Sequence, residues 1–267
     1  MKFYVPLKGI LLGPGKRFDP AVNTENEVIE FIKKAYGVIS SAMDVSISEG
    51  MVCIAFRDAA PAKVNEAMQK LKKAVGKAQE GKLSDALKLF KSVLEVIPEN
   101  VDARRNLAKV YLGLGNVDQA KRQLDICIQV DLKDCWSYIM LGNIYTKNER
   151  NLDVAEFYYE CGLEHCAEDG MLLNNYANLM MEKGNFSRAE ELFEKTLNLK
   201  PVHPHSYFGL ALLYRVTGHP EESLKVLERL FILMPKTPGI ESTQIYTEAR
   251  NLYSEIKAET ESKASTH

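Results

Sequence analysis

The chain has 267 residues, of which 46% are hydrophobic and 26% charged, and its formal net charge is −2. This composition is typical of a folded globular protein and excludes a chain that is disordered throughout. The near-neutral charge provides no basic field that would attract nucleic acid, so we expect no nucleic-acid partner. No apolar stretch has the length of a membrane-spanning helix, and we expect no membrane insertion.

The cysteine content predicts a cytoplasmic location. The chain contains five cysteines, an odd number, with no C-x-x-C pair. They are Cys53, Cys127, Cys135, Cys161 and Cys166. This pattern favours reduced, buried thiols, which are typical of cytoplasmic proteins. The apolar start of the chain is a poor match to a signal peptide because Pro6 and Lys8 interrupt it.

Residues 1–60 predict a small α/β segment with the order β-α-β-β. Lys2–Leu12 is rich in strand-forming residues, and Thr24–Glu27 is a capping box that begins a helical pattern. Val45–Phe56 has the pattern of a hairpin, with its turn at Gly50. One helix can cover only one face of such a sheet. We therefore expect the segment to pack its other surface on the first helix of the array that follows.

Two motifs suggest cofactor chemistry, but neither is complete. Gly9–Arg17 looks like a phosphate-binding loop, but its spacing is one residue too long and Arg17 replaces the Ser or Thr that would hold magnesium. Cys161 and His165 share a helix face, but a full set of metal ligands is lacking. His203 and His205 lie at a repeat junction where no nucleophile or carboxylate is evident, so a role in the turn is favoured over catalysis. We therefore predict no metal, no cofactor and no catalytic residue.

From Pro61 onward the pattern is helical, and small residues recur every 34 residues in two series. The first series is Gly81, Gly115, Gly184 and Gly218, and the second is Ala86, Ala120, Ala155, Ala189 and Ser223. One extra residue is inserted between the second and third glycines. Repeats of this length predict helix pairs, each of which is stable only when it is stacked on its neighbours.

The small residues of the repeat have a structural interpretation. An Ala or Gly near the middle of each first helix lets the paired helix approach closely, and a large residue three positions later fills the adjacent space. These small residues are Ala74, Ala108, Gly142, Ala177 and Ala211. The glycines of the first series end the first helices because glycine accepts positive φ, and prolines end the second helices.

The pattern of Leu-Ala-x-x-Tyr, Gly-Asn, Ala-x-x-x-Leu or Phe, and Pro resembles the tetratricopeptide repeat. It is clearest at Leu107–Ala120 and at Tyr176–Pro201, and it covers about residues 67–235. The resemblance implies a mainly α fold: a right-handed α-α superhelix of about five repeats within residues 61–237, after the N-terminal α/β segment. The predicted units are about 67–100, 101–134, 135–169, 170–203 and 204–237, followed by a capping helix at 238–258 and a disordered tail at 259–267.

The resemblance also implies that the first helices line a concave groove that holds a partner peptide. The groove residues are then those that the core does not use. They are Arg105, Asn106, Lys109, Trp136, Met140, Asn143, Asn175, Asn178, His205 and Arg215, and Met171, Asn174, Phe208 and Leu212 lie on the same faces. The asparagine amides can pair with a peptide backbone, and Trp136 and Met140 offer apolar contact. The alternative interpretation is that these are solvated helix faces.

Some tetratricopeptide repeat proteins clamp the C-terminal carboxylate of chaperones. Asn143 and Asn175 match the two amide positions of that clamp, but Ile139, His205 and Gly209 replace its basic residues, so we do not predict it. We predict a non-catalytic scaffold or adaptor that binds a peptide or protein segment in the groove. The alternative is a structural subunit that self-associates through its outer face or the edge of the N-terminal sheet.

Overall fold

The computed structural model describes residues 2–6, 11–13, 16–17, 24–36, 43–48, 50–56, 61–234 and 243–264. The chain divides into two compact units, Met1–Cys161 and Gly162–His267, and each is considered by itself. The predicted fold class is confirmed, because the described residues are mainly helical and a small α/β segment precedes the helices. Part of Gly9–Arg17, the segment compared with a phosphate-binding loop, lies outside the described residues.

The N-terminal segment contains two small antiparallel sheets and one helix. Its elements are β1 (Lys2–Pro6), β2 (Leu11–Gly13), β3 (Lys16–Arg17), α1 (Glu25–Tyr36), β4 (Met43–Ser48) and β5 (Met51–Phe56). One sheet has the order β1-β5-β4, and the other pairs β2 with β3. The predicted hairpin is β4–β5, and Gly50 in its turn has a φ of 73°. The short β2–β3 ribbon lies where the sequence predicts the end of a single strand.

Alternation along β5 explains which face of the sheet is covered. Val52 and Ile54 are two residues apart, so they point to the same face, and both are buried. Val28 and Ile32 lie one turn apart on α1 and are buried as well, and α1 contacts β4. The capping box predicted for α1 is present, since the Thr24 N–H donates to Glu27 Oε2 at 2.8 Å.

The rest of the described chain is a series of helix pairs. The pairs are α2 (Pro61–Gln79) with α3 (Leu83–Val96), α4 (Val101–Gly113) with α5 (Val117–Val130), α6 (Cys135–Lys147) with α7 (Leu152–His165), α8 (Gly170–Glu182) with α9 (Phe186–Leu199), and α10 (Pro204–Val216) with α11 (Pro220–Leu233). A last helix, α12 (Gln244–Ala264), follows them. The first of these pairs begins at Pro61, before the predicted start of the first repeat unit at about residue 67.

The structure places the N-terminal segment against α5, which contacts α1, β1 and β2. The expectation that this segment packs on the first helix of the array is therefore corrected. Ile126 of α5 gives the physical reason. It lies two residues after Leu124, on the opposite side of the helix from the seam with α4, and yet it is fully buried. A helix pair alone buries only its seam, so this apolar residue requires a further covering layer.

The ends of the first helices follow the prediction. Gly81, Gly115, Gly184 and Gly218 adopt φ values between 75° and 82°, a region that costs glycine little because it has no Cβ. In the third pair Arg150 adopts positive φ, at 55°, in the turn that contains the extra residue. The insertion therefore shifts the left-handed position onto a residue with a side chain, without removing the turn.

Close packing at glycine occurs in both units. In the first unit a Cβ added to Gly142 would lie 2.5 Å from Cζ of Tyr159, so the tyrosine ring sits directly on the backbone of α6. In the second unit a Cβ added to Gly209 would lie 2.5 Å from Cζ of Phe193. The sequence predicts this role for Gly142. It does not predict it for Gly209, which is not among the small residues predicted near the middle of the first helices.

A buried polar cluster joins α5 to α7 within the first unit. Tyr158 donates its hydroxyl hydrogen bond to Asp125 Oδ1 at 3.1 Å and stacks on Tyr145, with ring centroids 5.5 Å apart. Nζ of Lys121 lies 5.2 Å from the centroid of the Tyr145 ring. Loss of solvation raises the pKa of the Asp125 carboxyl to about 7, against a smaller opposing effect of the Tyr158 hydrogen bond.

Asp125 is expected to make the first unit less stable as the pH rises. Between its ordinary pKa of 3.8 and about 7, the folded state holds a proton that the unfolded state has released, so the free energy of unfolding falls with increasing pH. Asp125→Asn keeps an oxygen for Tyr158 and removes the charge, so it is expected to raise stability at about pH 8 and to have little effect at about pH 4. Urea unfolding at both pH values measures this. Asp85→Asn, at an exposed position of α3, is the control, and equal pH slopes for wild type and Asp125→Asn would contradict the expectation.

In the second unit α12 covers the last helix pair. Buried Ala249, Leu252 and Ile256 of α12 share a cluster with residues of α10 and α11. The sequence predicts a disordered tail from residue 259, and this is wrong for residues 259–264, which are helical. The physical reason is an ion pair between α10 and this part of α12. Arg215 Nη2 lies 2.6 Å from Glu259 Oε1. Residues 265–267 lie outside the described ranges.

The cysteines differ from the prediction at two positions. Cys53, Cys127 and Cys161 are free, and burial raises the pKa of the Cys127 thiol to about 12. Cys135 and Cys166 each take part in a disulfide bond. The prediction of five reduced thiols is therefore wrong for these two, because an odd number of cysteines does not prevent some of them from pairing. The cytoplasmic location predicted from thiol chemistry loses part of its support.

Candidate peptide-binding cleft

A cleft in the first unit lies between α4 and α6, and we call it the α4–α6 cleft. Its volume is about 230 Å³, and it is lined by Asp102, Arg105, Asn106, Lys109, Trp136 and Met140. Five of the ten residues predicted for the groove therefore lie around one cavity. Asp102 is the lining residue that the sequence does not predict, because an acid in the first turn of a helix is common for electrostatic reasons alone.

Helical periodicity explains how these side chains come together. Asp102, Arg105, Asn106 and Lys109 occupy positions i, i+3, i+4 and i+7 of α4, which form one stripe of the helix. The opposite stripe of α4 carries the buried core residues. Trp136 and Met140 are four residues apart on α6 and therefore share a face. The repeat core thus fixes both walls of the cleft without using its lining residues.

Two carboxylates hold Arg105 in place. Its Nη1 donates to Asp134 Oδ1 at 3.1 Å, and its Nη2 forms an ion pair with Asp102. Asp134 is buried and also accepts a hydrogen bond from Ser137 Oγ at 2.5 Å. Loss of solvation raises the pKa of the Asp134 carboxyl, and the bonds from Ser137 and Arg105 oppose this. The guanidinium of Arg105 is therefore committed to groups of its own unit.

Lys109 and Trp136 are exposed members of the cleft, as is Asp102, whose carboxylate pairs with Arg105. Trp136 is 45% exposed, a large fraction for the only tryptophan of the chain. Nζ of Lys109 lies 5.9 Å from the centroid of the Trp136 ring, within reach of a cation–π contact. Within the part of the chain that the structure describes, Lys109 has no carboxylate at ion-pair distance. The cleft therefore presents one uncommitted cation beside one exposed aromatic face.

The amides of Asn106 and Asn175 are used in the same way in the two units. Asn106 Nδ2 donates to the Asp102 carbonyl at 2.8 Å, and Asn175 Nδ2 donates to the Met171 carbonyl at 2.7 Å. Each bond returns to the preceding turn of the same helix and orients the amide. One amide hydrogen and the Oδ1 acceptor remain for a ligand. Asn178 of the second unit is exposed.

The structure places the other predicted groove residues in different surroundings. Asn143 accepts a hydrogen bond from the Tyr159 hydroxyl at 3.1 Å, and His205 is exposed. Arg215 forms ion pairs with Glu255 and Glu259 of α12, so its charge is used within the second unit.

The prediction that Asn174 lies on the groove face is wrong. Asn174 is buried and accepts from Ser206 Oγ at 2.9 Å, which makes it a core amide. Phe208 and Leu212 likewise pack against the cluster that contains α12. The sequence pattern could not separate these positions from groove positions, because the covering helix comes from a distant part of the unit.

The second unit also has a cleft that the sequence does not predict. Its volume is about 450 Å³, and its lining includes Glu168, Glu191, Glu194, Lys195 and Leu199. These residues come mainly from α9, the second helix of its pair, whereas the prediction considered first helices only. Among the described residues no group of three His, Cys, Asp or Glu side chains is arranged to hold a metal ion. No helix in the described ranges combines the length and the apolar character needed to span a bilayer.

The helix pairs, the glycine turns and the stacked seams define a helical-repeat protein. The family model of the tetratricopeptide repeat matches residues 77–129, and a second one matches residues 177–233. The chain therefore contains tetratricopeptide repeats in these two stretches. Its fold is that of a general scaffold for protein–protein interaction, and repeats of this family are generally non-catalytic.

Known proteins share the repeat at low identity. The chain is 26% identical over 231 residues to a TPR repeat-containing protein of Methanocaldococcus jannaschii, an alignment that covers 67% of this chain and 40% of the relative. It is 24% identical over 191 residues to a protein of Homo sapiens named Protein O-mannosyl-transferase TMTC3, covering 65% of this chain and 21% of the relative. The chain thus spans less than half the length of these relatives. The solved structure of a thermophilic TPR protein of Thermus thermophilus has a TM-score of 0.55 at 21% identity, covering 72% of this chain and 99% of the other, and this similarity concerns the fold alone.

Proposed function

We propose that this protein is a non-catalytic adaptor that binds an extended segment of a partner protein in the α4–α6 cleft. The observation that carries the proposal is the convergence of five predicted groove residues on one cavity with an exposed tryptophan. The adaptor acts without a metal or an organic cofactor, in the cytoplasm. Its partner is a protein or a peptide.

The chemistry of the cleft suits a peptide. A cavity of about 230 Å³ has room for one large side chain, and the faces of Trp136 and Met140 supply apolar contact for it. Oδ1 of Asn106 lies on the same stripe of α4 and can accept a hydrogen bond from a backbone N–H of the segment. Exposed aromatic residues in clefts commonly contribute most of the binding free energy at protein interfaces.

The test is a selection of random 12-residue peptides displayed on phage against the full chain. Synthetic versions of the selected peptides are then titrated into wild type and Trp136→Ala by isothermal calorimetry. Because the apolar contact is lost, we expect affinity to fall by about tenfold or more, equivalent to roughly 1.4 kcal/mol or more. Leu114→Ala, at another exposed apolar residue of the first unit, is the matched control and should bind normally. If the selected peptides bind Trp136→Ala as tightly as they bind wild type, the α4–α6 cleft is excluded as their binding site.

A second candidate function is self-association through the N-terminal sheet. Strand β4 forms one edge of the sheet β1-β5-β4, and an edge strand offers unpaired backbone groups to another chain. Light scattering of the purified full chain separates the two candidates. A strict monomer over the accessible concentration range excludes self-association, and a dimer that persists when Ser46→Pro is introduced in β4 excludes this edge as the contact.

A further inference from the structure

We infer that the segment bound in the α4–α6 cleft carries a side-chain carboxylate two positions away from an apolar anchor, and that Lys109 selects for it. This inference rests on the proposed function and names the chemistry of its ligand. It depends on which charges of the cleft already have partners within the protein, and on the distance between Lys109 and Trp136.

The committed charges lie around Arg105. Its guanidinium contacts Asp102 on one side and Asp134 on the other, and Asp134 is buried beneath it with a second bond from Ser137. A ligand carboxylate would therefore have to displace a carboxylate of the protein to reach Arg105. A ligand carboxylate at Lys109 displaces none, because no carboxylate of the described residues lies within ion-pair distance of its ammonium group.

A basic ligand is disfavoured by the same arrangement. Its natural target would be Asp102, the exposed carboxylate of the cleft, which already forms an ion pair with Arg105. The ligand cation would also approach Arg105 and Lys109, and like charges at short range repel each other. Charge complementarity therefore favours an acidic ligand over a basic one.

The distance between Lys109 and Trp136 indicates the spacing between the two ligand side chains. The Lys109 ammonium lies 5.9 Å from the centroid of the Trp136 ring. In an extended chain, side chains at i and i+2 point to the same side and are roughly 6.5 Å apart, because the rise is about 3.3 Å per residue. The pattern that matches the cleft is therefore an apolar residue, any residue, and then Asp or Glu, in either chain direction.

Docking of the apolar side chain strengthens the charged contact. When that side chain covers Trp136, it excludes water from the adjacent space, and the attraction between Lys109 and the ligand carboxylate increases as the local dielectric falls. The two contacts are then coupled. Removal of the carboxylate should therefore weaken binding more in wild type than in a variant that lacks the Lys109 charge.

Trp136 makes the inference directly measurable because it is the only tryptophan of the chain. The probes are capped peptides from the phage selection, each prepared in its native form and with its acidic residue changed to Gln or Lys. They are titrated into the full chain while the fluorescence of Trp136 is followed. The proteins are wild type, Lys109→Gln and the control Lys88→Gln, which changes an exposed lysine of α3.

We expect the Gln peptide to bind wild type with about fivefold to tenfold lower affinity than the native peptide does. The native peptide should lose a similar factor in affinity on Lys109→Gln. The two changes together should cost little more than either one alone, and Lys88→Gln should bind normally. Equal affinity of native and Gln peptides would overturn the inference, and so would tighter binding of the Lys peptide. Binding that requires a free C-terminal carboxylate would also overturn it. In each of these cases the Trp136-dependent binding of the proposed function still stands, whereas the absence of any peptide that binds through Trp136 refutes the function itself.

Discussion

Replacing Ile256 with alanine is expected to destabilise the second unit by about 2–5 kcal/mol, because a buried Ile that loses three carbons leaves a cavity. Ile256 is 0% exposed and belongs to the cluster formed by α10, α11 and α12. The buried members of that cluster are Tyr207, Ala211, Leu227, Leu230, Met234, Ala249, Leu252 and Ile256. Without α12 the apolar residues of α10 and α11 in this set would face water.

The chain offers a matched control for this substitution. Ile232 of α11 is the same residue type in the same unit but is 70% exposed, so Ile232→Ala is expected to change stability by less than about 0.5 kcal/mol. Urea unfolding followed by far-ultraviolet circular dichroism gives both free energies. If the two alanine variants lost equal stability, α12 would not be a packed layer of the second unit, and the ion pairs of Arg215 would have to be its main attachment.

The repeat made most of the fold predictable from the sequence. Glycine at a spacing of 34 residues has a direct physical meaning, because the turn after each first helix requires positive φ. The helix pairs follow from the same spacing. Five lining residues of the α4–α6 cleft could also be predicted. They are residues of α4 and α6 that remain once the residues of the helix seams have been assigned to the core.

The remaining parts depend on contacts between residues that are distant in the sequence. No local pattern indicates that Asp134 reaches back to Arg105, or that Glu255 and Glu259 bind Arg215. The packing of the N-terminal segment on α5 is of the same kind, because Ile126 looks like an ordinary apolar residue of a helix. Periodicity identifies the faces of a helix, but it does not identify what covers them.

Replacing Gly142 with alanine is expected to destabilise the first unit by about 1–3 kcal/mol, although alanine is the better helix former. The added methyl group would lie 2.5 Å from Cζ of Tyr159, well inside contact distance, and the ring is buried and cannot swing away freely. Gly76→Ala is the matched control. Gly76 lies inside α2 with open space at its Cβ, so alanine there is expected to stabilise the chain by about 0.5–1 kcal/mol.

The two glycine variants therefore differ in sign, which separates steric packing from helix propensity. Urea unfolding measures both free energies, and the fluorescence of Trp136 adds a local readout because Gly142 and Trp136 lie on the same helix, α6. If Tyr159 pushes α6 outward in Gly142→Ala, the tryptophan spectrum changes along with stability, and peptide affinity at the cleft falls. Stabilisation by both alanines would mean that the Tyr159 ring yields without cost, and the close approach of α6 and α7 would then not be what holds the wall of the cleft in position.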